Sequence, residues 1–144
     1  MRRCAMSKTS SAMPSFFHDV NPHEPMECLR VVRAGVPRSF IDDLAAVFKV
    51  PTSHLVALLP LSWRTIQRRK PDDLLDQEIS DRLVQIARVY VSALEVFEDP
   101  TKVTAWFASI CPYIGEKPFA LLGTQTGIEV VLDELERIEY GAAA

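Results

Sequence analysis

Apolar positions recur every three or four residues along most of this chain, the period of helices with one buried face. PMECLRVVRAG places Leu29, Val32 and Met26 on one side of a short helix. Gly35 stands where a left-handed C-terminal cap is wanted, and Pro37 forbids continuation. In SFIDDLAAVF, Phe40, Leu44, Val47 and Phe48 form the apolar stripe. Ser39 is the expected N-cap, and Asp42 and Asp43 occupy the first turn, where the helix dipole favours them. Val50-Pro51 breaks this helix. Thr52 or Ser53 is expected to cap a third, HLVALL, which stops at Pro60. Ser62 caps a fourth, WRTIQRRK, closed by Pro71.

The pattern then lengthens. A helix is expected over residues 78–97, with Ile79, Leu83, Ile86, Ala87, Tyr90, Ala93, Leu94 and Phe97 in one stripe, widened by Val84, Val89, Val91 and Val96. A helix apolar over most of its circumference is buried on more than one side. It is either the central post of the fold or part of a subunit interface. Pro100 opens TKVTAWFASI, which ends near Pro112, and a short PFALLG segment follows. The last helix, announced by Thr124 and Thr126, runs over about 126–140 on Ile128, Val131, Leu132, Leu135 and Ile138, with Gly141 as its stop. No segment alternates as a strand does. The fold class is all-α with about seven helices. Residues 1–23, polar and aperiodic, read as a flexible arm, with order beginning near Pro25.

At 144 residues the chain fits one compact domain, or two small lobes sharing a core. With a net charge of −3, any hold on nucleic acid must come from a local patch. Residues 62–70 supply one: Arg64, Arg68, Arg69 and Lys70, with no acid. Residues 126–140 are the reverse, setting Glu129, Asp133, Glu134, Glu136 and Glu139 against Arg137 alone. One end suits a negative partner and the other a positive one.

Cys4, Cys28 and Cys111 are odd in number and far apart, and His18, His23 and His54 show no metal spacing. They read as free thiols in a reducing compartment and as tail or surface histidines, with no metal and no cofactor. No run of eighteen apolar residues would span a membrane, and MRRCAMSKTSSAMPSFF lacks the continuous apolar core of a secretory signal. Met6 and Met13 are alternative starts, and a cytoplasmic location is expected.

TSHLVALL, PLS and WRTIQRR have the spacing of a helix-turn-helix, whose second helix enters the DNA major groove. Ile66 is the natural inward anchor. Ser62, Arg64, Thr65, Gln67, Arg68 and Arg69 are then available to DNA. Arg can fork to guanine and Gln to adenine, while hydroxyls and the remaining cations hold phosphates. The plainer reading is a solvated basic face. Trp63 either packs beside Ile66 or meets the partner. Pro60 occupies the turn position usually filled by Gly and cannot supply a positive φ, so the turn needs another geometry, and Val56 or Ala57 must face the fourth helix.

SWRTIQRR, SDRLVQIARVYVSALEVFEDP, AWF and KPFALLGTQTGIEVVLDELERIEYG together resemble the Xre-type antitoxins with a C-terminal Xre/MbcA/ParS toxin-binding domain, over about residues 30–141. The resemblance implies a phage-repressor-like helix-turn-helix lobe, here 24–77, followed by a helical toxin-binding domain, here 78–144. It implies a RES-domain toxin that degrades NAD⁺ as partner, its active site covered by the antitoxin. It also implies homodimerisation and repression of the chain's own operon through operator DNA. Two positions depart from the family pattern: Glu98, where Gly is frequent, and the Cys111-Pro-Tyr-Ile turn.

Such an inhibitor needs no catalytic group, and the chain shows no Gly-rich phosphate loop and no nucleophile elbow. ERIEYG provides a projecting end. Glu136 and Glu139 suit the cations of a pocket for an anionic substrate, Tyr140 suits an apolar slot, and Arg137 completes the candidate toxin contact. The plainer reading makes these acids the wet face of the last helix. Two rival functions remain open: a helix-turn-helix transcriptional repressor without a toxin partner, and a small helical enzyme with a pocket near Cys111 or His54.

Overall fold

The computed structural model describes residues 15–143. Residues 1–14 of the expected arm lie outside that range. Among the described residues there are seven α-helices: α1 (Pro25–Ala34), α2 (Ser39–Phe48), α3 (Thr52–Val56), α4 (Trp63–Gln67), α5 (Gln77–Phe97), α6 (Pro100–Ala108) and α7 (Gln125–Ala143). Two 3-10 turns, Ser15–His18 and Pro118–Leu121, complete the described elements. There is no strand among them, only one antiparallel bridge between Pro37 and Leu74. The all-α expectation holds.

α5 is the central post. α1, α6 and α7 all pack against it. Ile79, Leu83, Val84, Ile86, Ala87, Val89, Tyr90, Val91, Ala93 and Leu94 are all buried within this one chain. Asp76 starts the helix, its carboxylate accepting the Ile79 N–H at 2.9 Å. Glu98 ends it in the left-handed region at φ 58°. A position where Gly is frequent in the resembling family is thus one that requires positive φ, at a cost of about 1 kcal/mol for a residue with a Cβ.

Phe48 joins the two halves. This residue of α2 meets Tyr90 of α5, Phe107 of α6 and Phe119 of the second 3-10 turn edge-on, with ring centroids 5.2, 5.0 and 5.3 Å away. Trp106 and Phe97 extend the cluster. A second join is polar. Ser80, fully buried on α5, accepts the Val36 N–H at 3.0 Å and donates to the Leu75 carbonyl at 3.2 Å. It thereby satisfies two backbone groups that would otherwise be buried without partners.

Several local expectations are corrected. Phe17 is buried, the Arg88 guanidinium donates to the Pro22 carbonyl at 2.8 Å, and His23 meets Glu95 at 2.5 Å. Packing therefore begins well before Pro25, because one aromatic anchor needs no periodicity. Met26 is exposed, and Cys28 takes the inward place beside Val32. Ser39 and Thr52 are the first residues of their helices rather than caps. Gly35 has φ 89° but ψ 135°, outside the left-handed helical region expected of it. A Cβ there would stand 2.7 Å from the Leu75 carbonyl oxygen, so glycine is set by a close approach as well as by φ. Gly141 does not stop α7, which runs on to Ala143. Leu132 is exposed, while Glu134 is buried at 6% exposure.

Candidate functional site

The basic surface is built on α4 and the residues just after it: the expected helix WRTIQRRK ends at Gln67, so Arg64 lies on the helix, Arg68 is its C-cap, and Arg69 and Lys70 follow. Ser62 caps the helix start, its Oγ accepting the Thr65 N–H at 3.1 Å and lying 2.9 Å from the Thr65 hydroxyl. Ile66 is fully buried, as its spacing predicted. Arg38 donates to the Ile66 carbonyl at 3.4 Å and pairs with Asp42 at 2.6 Å, and Asp42 also accepts from Thr52 at 3.0 Å. One carboxylate therefore ties α2 to α3 and orients the arginine that holds α4. Beyond α4, the Lys70 N–H donates to Asp73 at 2.9 Å. The Arg38 and Ser39 amides donate to the Asp73 and Pro71 carbonyls at 2.8 and 3.0 Å.

With Ile66 fixed inward, Ser62, Arg64, Thr65, Gln67, Arg68 and Arg69 are all exposed, and Lys70 extends the patch. Trp63 lies at the surface rather than beside Ile66. The turn between α3 and α4 contains no residue of positive φ, the geometry Pro60 demands. Ala57, Leu58 and Leu59 carry the turn on, donating to Ser53, Leu55 and Val56. Of the two candidates for the facing position, Val56 is buried and Ala57 exposed.

At the other end, α7 is capped by Thr124, whose Oγ1 accepts the Gly127 N–H at 2.9 Å. Ile128, Val131 and Leu135 face the core. The four residues of the expected C-terminal contact separate. Glu136 and Tyr140 are exposed. Glu139 is half-buried in a shallow cleft with Glu95, Phe97, Lys102 and Ile138. Arg137 is engaged within the chain. Its Nε and Nη2 fork onto the two Glu134 oxygens at 2.9 and 2.7 Å, and its guanidinium lies 3.7 Å from the centre of the Tyr113 ring. The Cys111 thiol reaches Glu134 Oε2 at 3.6 Å.

Sequence reasoning missed this cluster. The i,i+3 spacing of Glu134 and Arg137 is visible, but nothing local links them to Tyr113 or marks Glu134 as buried. Arg137, helped by Cys111, holds the Glu134 carboxyl below the usual carboxylate range, although burial works against it. A lowered folded-state pKa gives stability that is present above the unfolded pKa and lost as pH falls through the folded one. Glu134→Gln is therefore expected to cost about 1–3 kcal/mol at neutral pH. That difference should shrink towards about pH 3, which urea unfolding at the two pH values would check.

Among the described residues, no group of three or more His, Cys, Asp or Glu could hold a metal ion. No described helix is long and apolar enough to cross a membrane. Exposed His54 rims an apolar cleft with Phe48, Val50, Thr104, Phe107 and Phe119. Cys28 and Cys111 are free and buried, and burial pushes the Cys28 thiol pKa up.

Comparison with known proteins matches both halves of the chain. Residues 29–88 match the antitoxin Xre-like helix-turn-helix domain, and residues 92–141 match the antitoxin Xre/MbcA/ParS C-terminal toxin-binding domain. The first match ends and the second begins inside α5, so the long helix serves both halves. The chain is 26% identical to Antitoxin Xre of Yersinia enterocolitica serotype O:8 / biotype 1B over 113 residues, 76% of either chain. With a helix-turn-helix half, a toxin-binding half and a shared central helix, the chain belongs to the Xre-type antitoxin family.

Proposed function

We propose that this antitoxin neutralises a RES-domain, NAD-degrading toxin by covering its active site with the last turns of α7. In the same reading it represses its own operon through α4, in a cytoplasmic type II toxin–antitoxin system. Residues 24–77 face operator DNA and 78–144 face the toxin. The observation that carries the toxin half is that α7 outruns its own core. Beyond Leu135 no described side chain is fully buried, yet the helix continues with Glu136 and Tyr140 exposed. Helical turns that bury no side chain fully, with only Ile138 and Glu139 half-buried, gain little from packing. An exposed tyrosine on such a turn is the kind of side chain that anchors an interface. A pocket for an anionic dinucleotide carries cations, which Glu136 complements.

The test is intracellular NAD⁺ in cells expressing the product of the adjacent reading frame. It should collapse with that product alone and recover with the wild-type chain. It should stay low with the Glu136→Ala/Tyr140→Ala variant, whose substitutions are exposed and leave the fold intact. Full recovery with that variant would remove α7's end from the contact. If NAD⁺ never falls, the repressor without a toxin partner becomes the better reading. Truncation at Thr124 is a poorer test, because it also deletes the buried residues Ile128, Val131 and Leu135.

The exposure of α4 supports the DNA half. Arg64→Ala with Arg68→Ala is expected to weaken operator binding and to reduce its salt slope by about 1–2, while leaving toxin binding unchanged. Unchanged operator affinity in a filter or gel-shift titration would sink this half. A homodimer belongs to the same reading. Since the apolar stripe of α5 is buried within the monomer, a dimer would have to use other surfaces than that stripe, and sedimentation at several concentrations tests for it.

A further inference from the structure

The loop between α6 and the Pro118–Leu121 turn carries Ile110 and Tyr113, 67% and 73% exposed. With Tyr140, at 66%, they are the three most exposed large apolar side chains among the described residues. A surface loop bearing such residues is ordinarily mobile, but here it is braced. The Cys111 N–H donates to the Glu116 carbonyl at 3.0 Å and the Gly115 N–H to the Cys111 carbonyl at 2.7 Å. Below the loop, the buried Glu134 carboxylate holds the Cys111 thiol on one side and the Arg137 fork on the other. Arg137 in turn lies over the Tyr113 ring, 3.7 Å from its centre. A buried carboxylate thus fixes an arginine, and the arginine fixes an exposed tyrosine. Holding a solvent-exposed ring still does little for the free chain, but it lowers the entropic cost of docking a partner there.

We propose that Ile110 and Tyr113 form a second, pre-ordered arm of the toxin-docking surface, clamped to α7 by Glu134 and Arg137. The inference rests on the proposed function, in which the end of α7 meets the toxin. The occupant is the toxin because both residues lie within the 92–141 toxin-binding match. The arm is also continuous with α7's end: Arg137, which touches Tyr113, is the helical neighbour of Glu136 and Tyr140. Arg137 acts through Tyr113 and is a positioning residue.

The experiment is calorimetric titration of the full chain with the adjacent frame's RES-domain product. Tyr113→Ala is expected to weaken binding about tenfold or more, and Ile110→Ser with Tyr113→Ala about a hundredfold, with thermal midpoints unchanged. Arg137→Lys keeps the charge but loses the fork. It should weaken binding in the wild-type background and add nothing once Tyr113 is alanine, the signature of action through that ring. If the wild type binds and the Ile110/Tyr113 double variant binds within about twofold of it, the proposal is overturned and the toxin reading stands. A double variant that loses self-association while keeping toxin affinity assigns the face to a second copy and overturns the proposal equally. Failure of the wild type to bind the RES product overturns the toxin reading, and this inference falls with it.

Discussion

Phe48→Ala is expected to cost about 3–5 kcal/mol, the usual loss for truncating a large buried aromatic. Phe48 is 3% exposed and is the common member of three edge-on ring contacts, to Tyr90, Phe107 and Phe119. Truncation would remove all three at once. Collapse of the neighbours into the space is limited because each ring sits on a different element: α5, α6 and the second 3-10 turn. The thermal midpoint should fall by roughly 10 °C or more. Phe48 also belongs to the helix-turn-helix half, while Phe107 and Phe119 belong to the toxin-binding half. The variant should therefore unfold in a broader transition, or in two, as the halves lose their joint. A loss below about 1 kcal/mol would mean that the cluster does not hold them together.

Gly127→Ala is the second large effect, and its sign is the informative part. Inside a helix, Gly to Ala ordinarily stabilises by up to about 1 kcal/mol. Here a Cβ would stand 1.9 Å from the Leu121 carbonyl oxygen and 2.9 Å from its carbon. The obstacle is backbone, so no rotamer change relieves it. Either α7's first turn or the 3-10 turn must move, and we expect a loss of about 2–4 kcal/mol. Gly141 provides the control on the same helix. Nothing lies within 4 Å of a Cβ there. Gly141→Ala should therefore be neutral or stabilising by a few tenths of a kcal/mol. Thermal unfolding of the pair checks both signs. Opposite shifts support close packing of α7 on the 3-10 turn, whereas two stabilising shifts would refute it.

The expected stripe of α7 shows where local reading succeeds and where it stops. Ile128, Val131 and Leu135 were placed correctly, because the core favours apolar groups at helical spacing. Leu132, expected in the stripe, is exposed, while Glu134, counted among the acids that suit a positive partner, is buried. The buried face is rotated towards Glu134 because the Cys111 loop covers that side of the helix. An arginine three residues on and a thiol from a distant segment make the carboxylate's burial tolerable. Neither the loop's position nor its thiol can be inferred from spacing along α7.

By itself the sequence determined the all-α class, the helix order, the buried character of the long helix and the inward turn of Ile66. It also determined the opposed charges of α4 and α7 and the resemblance to the Xre-type antitoxins. Apart from the resemblance, which draws on motifs spread over about residues 30–141, these depend on residues within about four positions of one another, the reach of helical periodicity and capping. The tertiary structure alone decided that α5's surplus apolar surface is consumed within one chain. It decided that Ser80 bridges Val36 to Leu75, that Phe48 joins the halves, and that Gly127 must be bare for Leu121 to approach. It also divided the expected C-terminal contact into exposed Glu136 and Tyr140, half-buried Glu139 and clamped Arg137. The reason is the same in each case. Burial and hydrogen bonding between segments distant in sequence depend on which faces meet, and local spacing does not encode that meeting.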